Sequence, residues 1–240
     1  HERAYHPKHI VIAASGNVEH QRLLDVLEKT GWTNEAARDG ERVVAPAPVR
    51  AAPVVRHVHR EGAQTHIVIG TDAVPHGDPR RLPFLLLSML LGGGMSSRLF
   101  QRVREELGLA YSVYTYQGFH ADTGMHGVYV TTGPATGAQA FEAIQTELAS
   151  VAANGLPHDE IVMGKQQLKG QITLSLESVS ARMYRAAAVE LYGEPYRTLD
   201  EILALVEAIT PEQVQDVARE FFPPERMTVV SLGPKRVASG

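Results

Sequence analysis

The chain has 240 residues, of which 44% are hydrophobic and 21% charged, and its formal net charge is −4. That is the balance of an ordinary soluble globular protein, without the basic field that gathers nucleic acid, and no apolar run approaches the ~20 residues a bilayer span needs. The absence of cysteine excludes disulfides and thiolate metal ligands and leaves the redox compartment undecided. Neither an initiator Met nor a signal peptide stands at His1, so the pattern is that of a fragment or a processed product, with a cytoplasmic location expected.

Residues 9–17 (HIVIAASGN) read as a short apolar strand ending in turn residues. Leu23, Leu24 and Leu27 then recur at helical spacing, Asn17 offers a cap and Gly31 a stop. Between residues 33 and 53 the pattern dissolves into Ala, Arg and Pro46, Pro48 and Pro53, the composition of an extended linker. The predicted organisation is therefore a strand–helix remnant over 1–32, a linker over 33–53 and a domain over 54–240, the remnant being too small to fold alone. A comparison within the chain supports this. PKHIVIAASG (residues 7–16) lies over PERMTVVSLG (residues 224–233) at a constant offset of 217, as though the tail of a first copy preceded a whole second one.

Two strands are predicted after the linker, VVRHVHR and QTHIVIG. An apolar segment, residues 84–91, follows. It is hydrophobic all round apart from Ser88 and so is expected to be buried on every side as a helix. Gly92, Gly93 and Gly94 break it and permit backbone angles that other residues avoid. Ser96 or Ser97 can cap a second helix running to about Leu107, which Gly108 ends, and residues 110–116 with three tyrosines suit a strand. A strand over 127–132, a helix over 136–154 and a long helix over 158–192, bent near Gly170, come next. A helix over 199–209 and one opened by the capping box TPEQ at Thr210 precede a last strand over 227–232. The order of elements predicts an α+β fold, an antiparallel sheet with helices packed on one face.

The stretch GGGMSSRLFQRVREELGLAYSVY resembles the signature of the C-terminal half of pitrilysin- and insulysin-type zinc peptidases (the inverzincins), close to bacterial processing-peptidase-like members. The order of flanking elements extends the likeness over nearly the whole chain. The resemblance implies a protein that hydrolyses peptide bonds with zinc held by H-x-x-E-H in a homologous N-terminal half, on the same polypeptide or a separate subunit. This chain would then be the half that closes the chamber and binds extended peptide, inactive alone. The resemblance gives Arg104 and, seven residues later, Tyr111 the task of holding the peptide and steadying the oxyanion. It also places Gly92, Gly93 and Gly94 beside the substrate chamber.

The residues themselves are consistent with those roles. Arginine offers planar, permanently charged donors and tyrosine a hydroxyl that can donate to a developing oxyanion, and Gly108 lets the chain turn between them. The plain alternative pairs Arg104 with Glu105 or Glu106 and uses Tyr111 for sheet packing; Arg98 and Arg102 are weaker candidates. No zinc motif is present. The nearest, GNVEH, has Gly16 where the first histidine belongs, and Glu19 and His20 are accounted for by a helix start. His57 and His59 share a strand face, and His66 would join them if the two strands pair, but no carboxylate completes a ligand set. His1, His6 and His9 carry no more. The glycine run lacks the lysine of a phosphate loop and follows a helix, so an unrelated ligand-binding α+β domain, with a nucleotide or small molecule at the glycines, ranks third. The second reading is a non-catalytic peptidase-like scaffold or regulatory subunit that binds peptide or a partner protein. Homo-oligomers are allowed; nucleic acid and membrane partners are not expected.

Overall fold

The computed structural model describes residues 5–32 and 52–238. They belong to two compact units, one of residues 1–47 with 170–199 and one of residues 48–169 with 200–240. His1 and nearly all of the expected linker lie outside the described residues.

The larger unit is built on a five-stranded sheet: β1 (Val55–His59), β2 (Thr65–Ala73), β3 (Ala110–Phe119), β4 (Gly124–Thr132) and β5 (Thr228–Gly233), in the spatial order β1-β5-β2-β4-β3. Three pairings are antiparallel, as expected. The fourth is not: β5 enters between β1 and β2 and runs parallel to β1. One face of the sheet is apolar, with Ile67, Ile69, Val113, Val128, Val130 and Val229 all buried. That face is covered by α2 (Arg81–Gly92), α3 (Gly137–Asn154) and α7 (Pro211–Phe221), and α4 (His158–Ser175) lies against α2, with Gly164 next to Leu86 and Leu90, so the expected α+β layering holds.

Helix α2 is the apolar segment. Phe84, Leu86, Leu87 and Leu91 are fully buried, Pro83 occupies its first turn, and it packs against β3 and α7. Phe84 meets Phe221, His126 and Phe222 with ring centroids 5.2, 5.5 and 6.5 Å away. Ser88, the polar interruption, donates to Gln117 Oε1 at 2.7 Å, and its carbonyl accepts from the Thr115 hydroxyl at 2.7 Å, which fastens α2 to β3. Helix α6 (Leu199–Glu207) precedes α7, whose capping box forms as predicted: the Thr210 hydroxyl accepts from Gln213 N and Gln213 Oε1 accepts from Thr210 N.

The smaller unit contains a 3-10 turn (Pro7–His9), α1 (His20–Lys29) and α5 (Val179–Tyr192). Residues 9–17 form no strand. A strand needs a hydrogen-bonded neighbour, and no described residue pairs with them. Helix α1 starts one residue past Glu19, not at Asn17, and no side chain caps it. The long helix predicted over 158–192 is two helices. Its interruption is at residues 176–178, where Ser178 caps α5 by accepting from Ala181 N, and Gly170 lies inside α4.

Candidate functional site

Between α2 and β3 the chain makes one further turn of unusual form. Residues Phe100–Glu106 are a π-helix, following directly on Arg98 and Leu99. Leu107 N donates to Arg102 O, five residues back, at 3.2 Å. Such wide turns are rare and concentrate at functional sites. Leu99 and Val103, both fully buried, hold its inner face to the core. The expected serine cap is absent in the usual sense: the Ser97 hydroxyl donates to Gly94 O, while Gln101 N bonds the Ser97 carbonyl.

The three arginines of this helix have different surroundings. Arg98 lies against two carboxylates, donating to Glu147 and to Glu160, the latter at 2.7 Å. Burial works against its charge, but these hydrogen bonds outweigh that and raise its pKa. Arg102 bonds Glu106 at 2.7 Å. Among the described residues Arg104 makes one carboxylate contact, with Glu105 at 3.7 Å; its side chain is 45% exposed, and its guanidinium lies over the Phe100 ring at 4.8 Å. The expected competition from Glu106 goes to Arg102 instead. Of the three, Arg104 is the arginine least committed to carboxylates within the fold.

Tyr111 opens β3 at a β-bulge, where the register with β4 shifts between Ala110 and Ser112. The bulge leaves Tyr111 without a cross-strand partner, and it is 62% exposed. It therefore does little sheet packing, unlike Tyr114 and Tyr116, whose rings neighbour each other 6.5 Å apart on the sheet. The link between Arg104 and Tyr111 is pinned. Gly108 has φ +62°, a left-handed angle that glycine adopts without strain. Next to it, Leu109 N donates to Val103 O at 2.9 Å and Leu109 O accepts from the Thr132 hydroxyl at 2.6 Å.

The glycine run works differently from expectation. None of Gly92, Gly93 and Gly94 has a positive φ. Their smallness is what counts: a Cβ on Gly92 would stand 2.5 Å from Thr115 N, and one on Gly93 would stand 2.7 Å from Met89 O. Gly92 lets α2 end in contact with the β3 backbone, and Gly94 faces open space.

Among the described residues no group of three or more histidine, aspartate or glutamate side chains is placed to hold an ion. The possible trio of His57, His59 and His66 does not assemble, because β5 separates the two strands. His57 bonds Ser231, His59 faces Glu61 at 3.2 Å and His66 bonds the Tyr129 hydroxyl at 2.8 Å. The described residues thus assemble no ligand set for a zinc ion.

What sequence reasoning missed is the π-helix and the ionic brace behind it. Arg98, Glu147 and Glu160 border a cavity of about 410 Å³, with Gln101, Arg102 and Met163 also on its wall. Neither glutamate announces this in the sequence, since each sits in an ordinary amphipathic helix.

The family model for the peptidase M16 inactive domain matches residues 1–168. The chain belongs to the peptidase M16 inactive-domain family. Its relatives include uncharacterized zinc proteases of Streptomyces coelicolor, 37% identical over 98% of this chain and 52% of the relative, and of Bacillus subtilis, 37% identical over 91% and 52%. Solved structures agree on the fold. An M16 inactive domain from Pseudomonas fluorescens superposes with a TM-score of 0.81 at 21% identity, covering 94% of this chain and 54% of that one. A protease from Helicobacter pylori gives 0.77 at 19%, covering 92% and 54%. The M16 chain described here spans about half the length of the curated relatives it matches. Among its described residues no helix is long and apolar enough to cross a membrane.

Proposed function

We propose that this chain is the substrate-binding, chamber-closing half of a zinc metallopeptidase, working with an N-terminal half that carries the zinc, on the same polypeptide or another. The observation that carries the proposal is the pair at the Gly108 turn. Arg104 is exposed and, among the described residues, held to no carboxylate closer than 3.7 Å, and Tyr111 is freed by a bulge from packing in the sheet. The relatives named zinc proteases support the reading.

Since the described residues assemble no metal site, the chemistry of this half is that of binding and charge stabilisation. The Arg104 guanidinium donates to a carbonyl or carboxylate oxygen of the peptide, with its orientation fixed by the Phe100 ring beneath it. The Tyr111 hydroxyl donates to the oxygen of the scissile carbonyl as negative charge builds there. β3 is one edge of the sheet, so an extended peptide adding to that edge passes Tyr111, with the Gly92–Gly93–Gly94 loop next to the same strand. The expected division of the chain at residues 33–53, and the assignment of residues 1–32 to the preceding half, belong to this proposal.

The test is kinetic. In the assembled enzyme Tyr111→Phe lowers kcat by about 100-fold and leaves KM nearly unchanged, the pattern of a donor used only in the transition state. Unchanged turnover removes Tyr111 from the mechanism, and peptide hydrolysis by the purified chain alone overturns the division of labour. A second reading, a non-catalytic scaffold, is favoured by the family's description as an inactive domain. H-x-x-E-H in the coding sequence ahead of His1 rejects it.

A further inference from the structure

The bulge that frees Tyr111 has a cause in the opposite strand. From Ser112 onward β3 and β4 form a regular ladder, with Ser112 opposite Thr131 and Val113 opposite Val130. One more regular step would set Tyr111 opposite Thr132. Residues two apart on a strand share a face, so Tyr111 would then join Val113 on the side that the helices cover. Thr132 is fully buried on that side, its methyl 3.8 Å from where a Cβ on Gly137, the first residue of α3, would stand. A phenol in that place is shut away from a peptide. Instead Ala110 stands opposite Thr132, and Tyr111 is the extra residue.

The Thr132 side chain holds this choice in place. Its hydroxyl donates to Leu109 O at 2.6 Å. A hydroxyl has one proton, so in the 2.6 Å contact between the Thr132 and Thr136 hydroxyls Thr136 is the donor. The two bonds run in series, and each polarises the next. Leu109 is held from its other side as well, where its amide donates to Val103 O at 2.9 Å. One backbone group of Leu109 is therefore tied to the π-helix that carries Arg104, and the other to β4. Pairing Tyr111 with Thr132 would draw Leu109 along the strand by one residue, about 3.4 Å, and out of reach of the hydroxyl.

We infer that Thr132 is a positioning residue for Tyr111: its hydroxyl sets the bulge, and the bulge turns the phenol out of the helix-covered face. The inference rests on the reading of Tyr111 as the oxyanion donor. It adds a buried residue that touches no peptide and acts on turnover through Tyr111. Arg104 depends on the separate bond between Leu109 N and Val103 O, so peptide binding is left to the arginine whether or not the threonine is present.

The experiment compares Thr132→Val, Thr132→Ser, Tyr111→Phe and the double variant Thr132→Val/Tyr111→Phe in the assembled enzyme. Valine keeps the shape and the strand preference but cannot donate, and Thr136 then turns to Gly133 O, 3.1 Å away. Thr132→Val lowers kcat about tenfold and leaves KM nearly unchanged, since misplacing a donor is costly as charge develops. Thr132→Ser, which keeps the hydroxyl, retains wild-type turnover. In the Tyr111→Phe background Thr132→Val lowers kcat no further, because the group it acts through is gone. Losses that multiply in the double variant are those of a merely structural threonine and overturn the inference. So does full turnover in Thr132→Val when Tyr111→Phe is slow. A second readout needs no activity. With the tyrosine rings isotope-labelled for NMR, the resonance missing from Tyr111→Phe identifies Tyr111. That resonance moves or broadens in Thr132→Val and stays in place in Thr132→Ser; an unmoved resonance in Thr132→Val overturns the inference. If Tyr111→Phe turns over normally, the oxyanion reading fails, and the spectrum alone decides the positioning. Should Thr132→Val not fold, Thr132→Ala takes its place with the same outcomes.

Discussion

His126 offers a sharp test of the larger unit's core. It lies on β4, is 2% exposed, and meets Phe84 and Phe222 with tilted rings at 5.5 and 5.3 Å, its Nε2 buried and without a hydrogen bond among the described residues. Burial lowers its pKa from 6.5 to about 4. The folded state therefore holds the ring neutral at pH values where the unfolded chain protonates it. Below pH 6.5 the unfolded chain binds more protons, so stability falls with pH and levels off below pH 4. A shift of this size corresponds to about 3 kcal/mol, most of it lost between pH 7.5 and 4.5. The assay is urea unfolding of the wild-type chain and of His126→Leu, which keeps a similar volume without the titrating ring. The difference in unfolding free energy between the two shifts by that amount across the window in favour of the leucine variant, while other titrating groups cancel. A difference that stays flat from pH 7.5 to 4.5 refutes the burial argument.

Other outcomes follow from the same geometry. Arg104→Lys in the assembled enzyme raises KM about tenfold or more with a smaller change in kcat, because lysine loses the planar donor pair; steady-state kinetics on a peptide substrate checks it. Gly92→Ala forces a methyl to within 2.5 Å of the Thr115 backbone and destabilises the chain by about 1–3 kcal/mol, measured by urea unfolding. Thr210→Ala removes the side chain of an intact capping box and costs about 1 kcal/mol by the same measurement. Glu147→Gln together with Glu160→Gln strips Arg98 of both its carboxylates while leaving Arg104 in place, and lowers the thermal midpoint more than either single change alone.

Local signals in the sequence located most elements of the larger unit. The all-round apolar run foretold a buried α2, the glycine after the basic-acidic stretch foretold the Gly108 turn, and TPEQ foretold the start of α7 with its cap. Long-range choices were not legible. Nothing in VRHVH or TVVSL states that they run parallel, since a strand's sequence records which face is buried and not which neighbour it takes. The helix break was misplaced because a glycine within a helix is tolerable at ~1 kcal/mol. Ser178, a good capping residue whose hydroxyl accepts from Ala181 N, was the better signal. For the candidate pair, spacing gave the residues and the turn between them. It could not give the π-helix, which differs from an α-helix only in which carbonyl each amide selects, nor the bulge that sets Tyr111 apart from its sheet neighbours.

The place of β5 bears on how the molecule comes together during synthesis. Its contacts with the residues next to β1 span 174 positions of chain, yet it lies inside the sheet rather than at its rim. While the ribosome is still making α7, β1 and β2 have no bridge between them, and the emerging chain carries a cleft awaiting its wedge. Folding of this layer is thus slow by topology and completed late, and until then the cleft is where a chaperone, or a stray strand from a neighbouring nascent chain, would bind first.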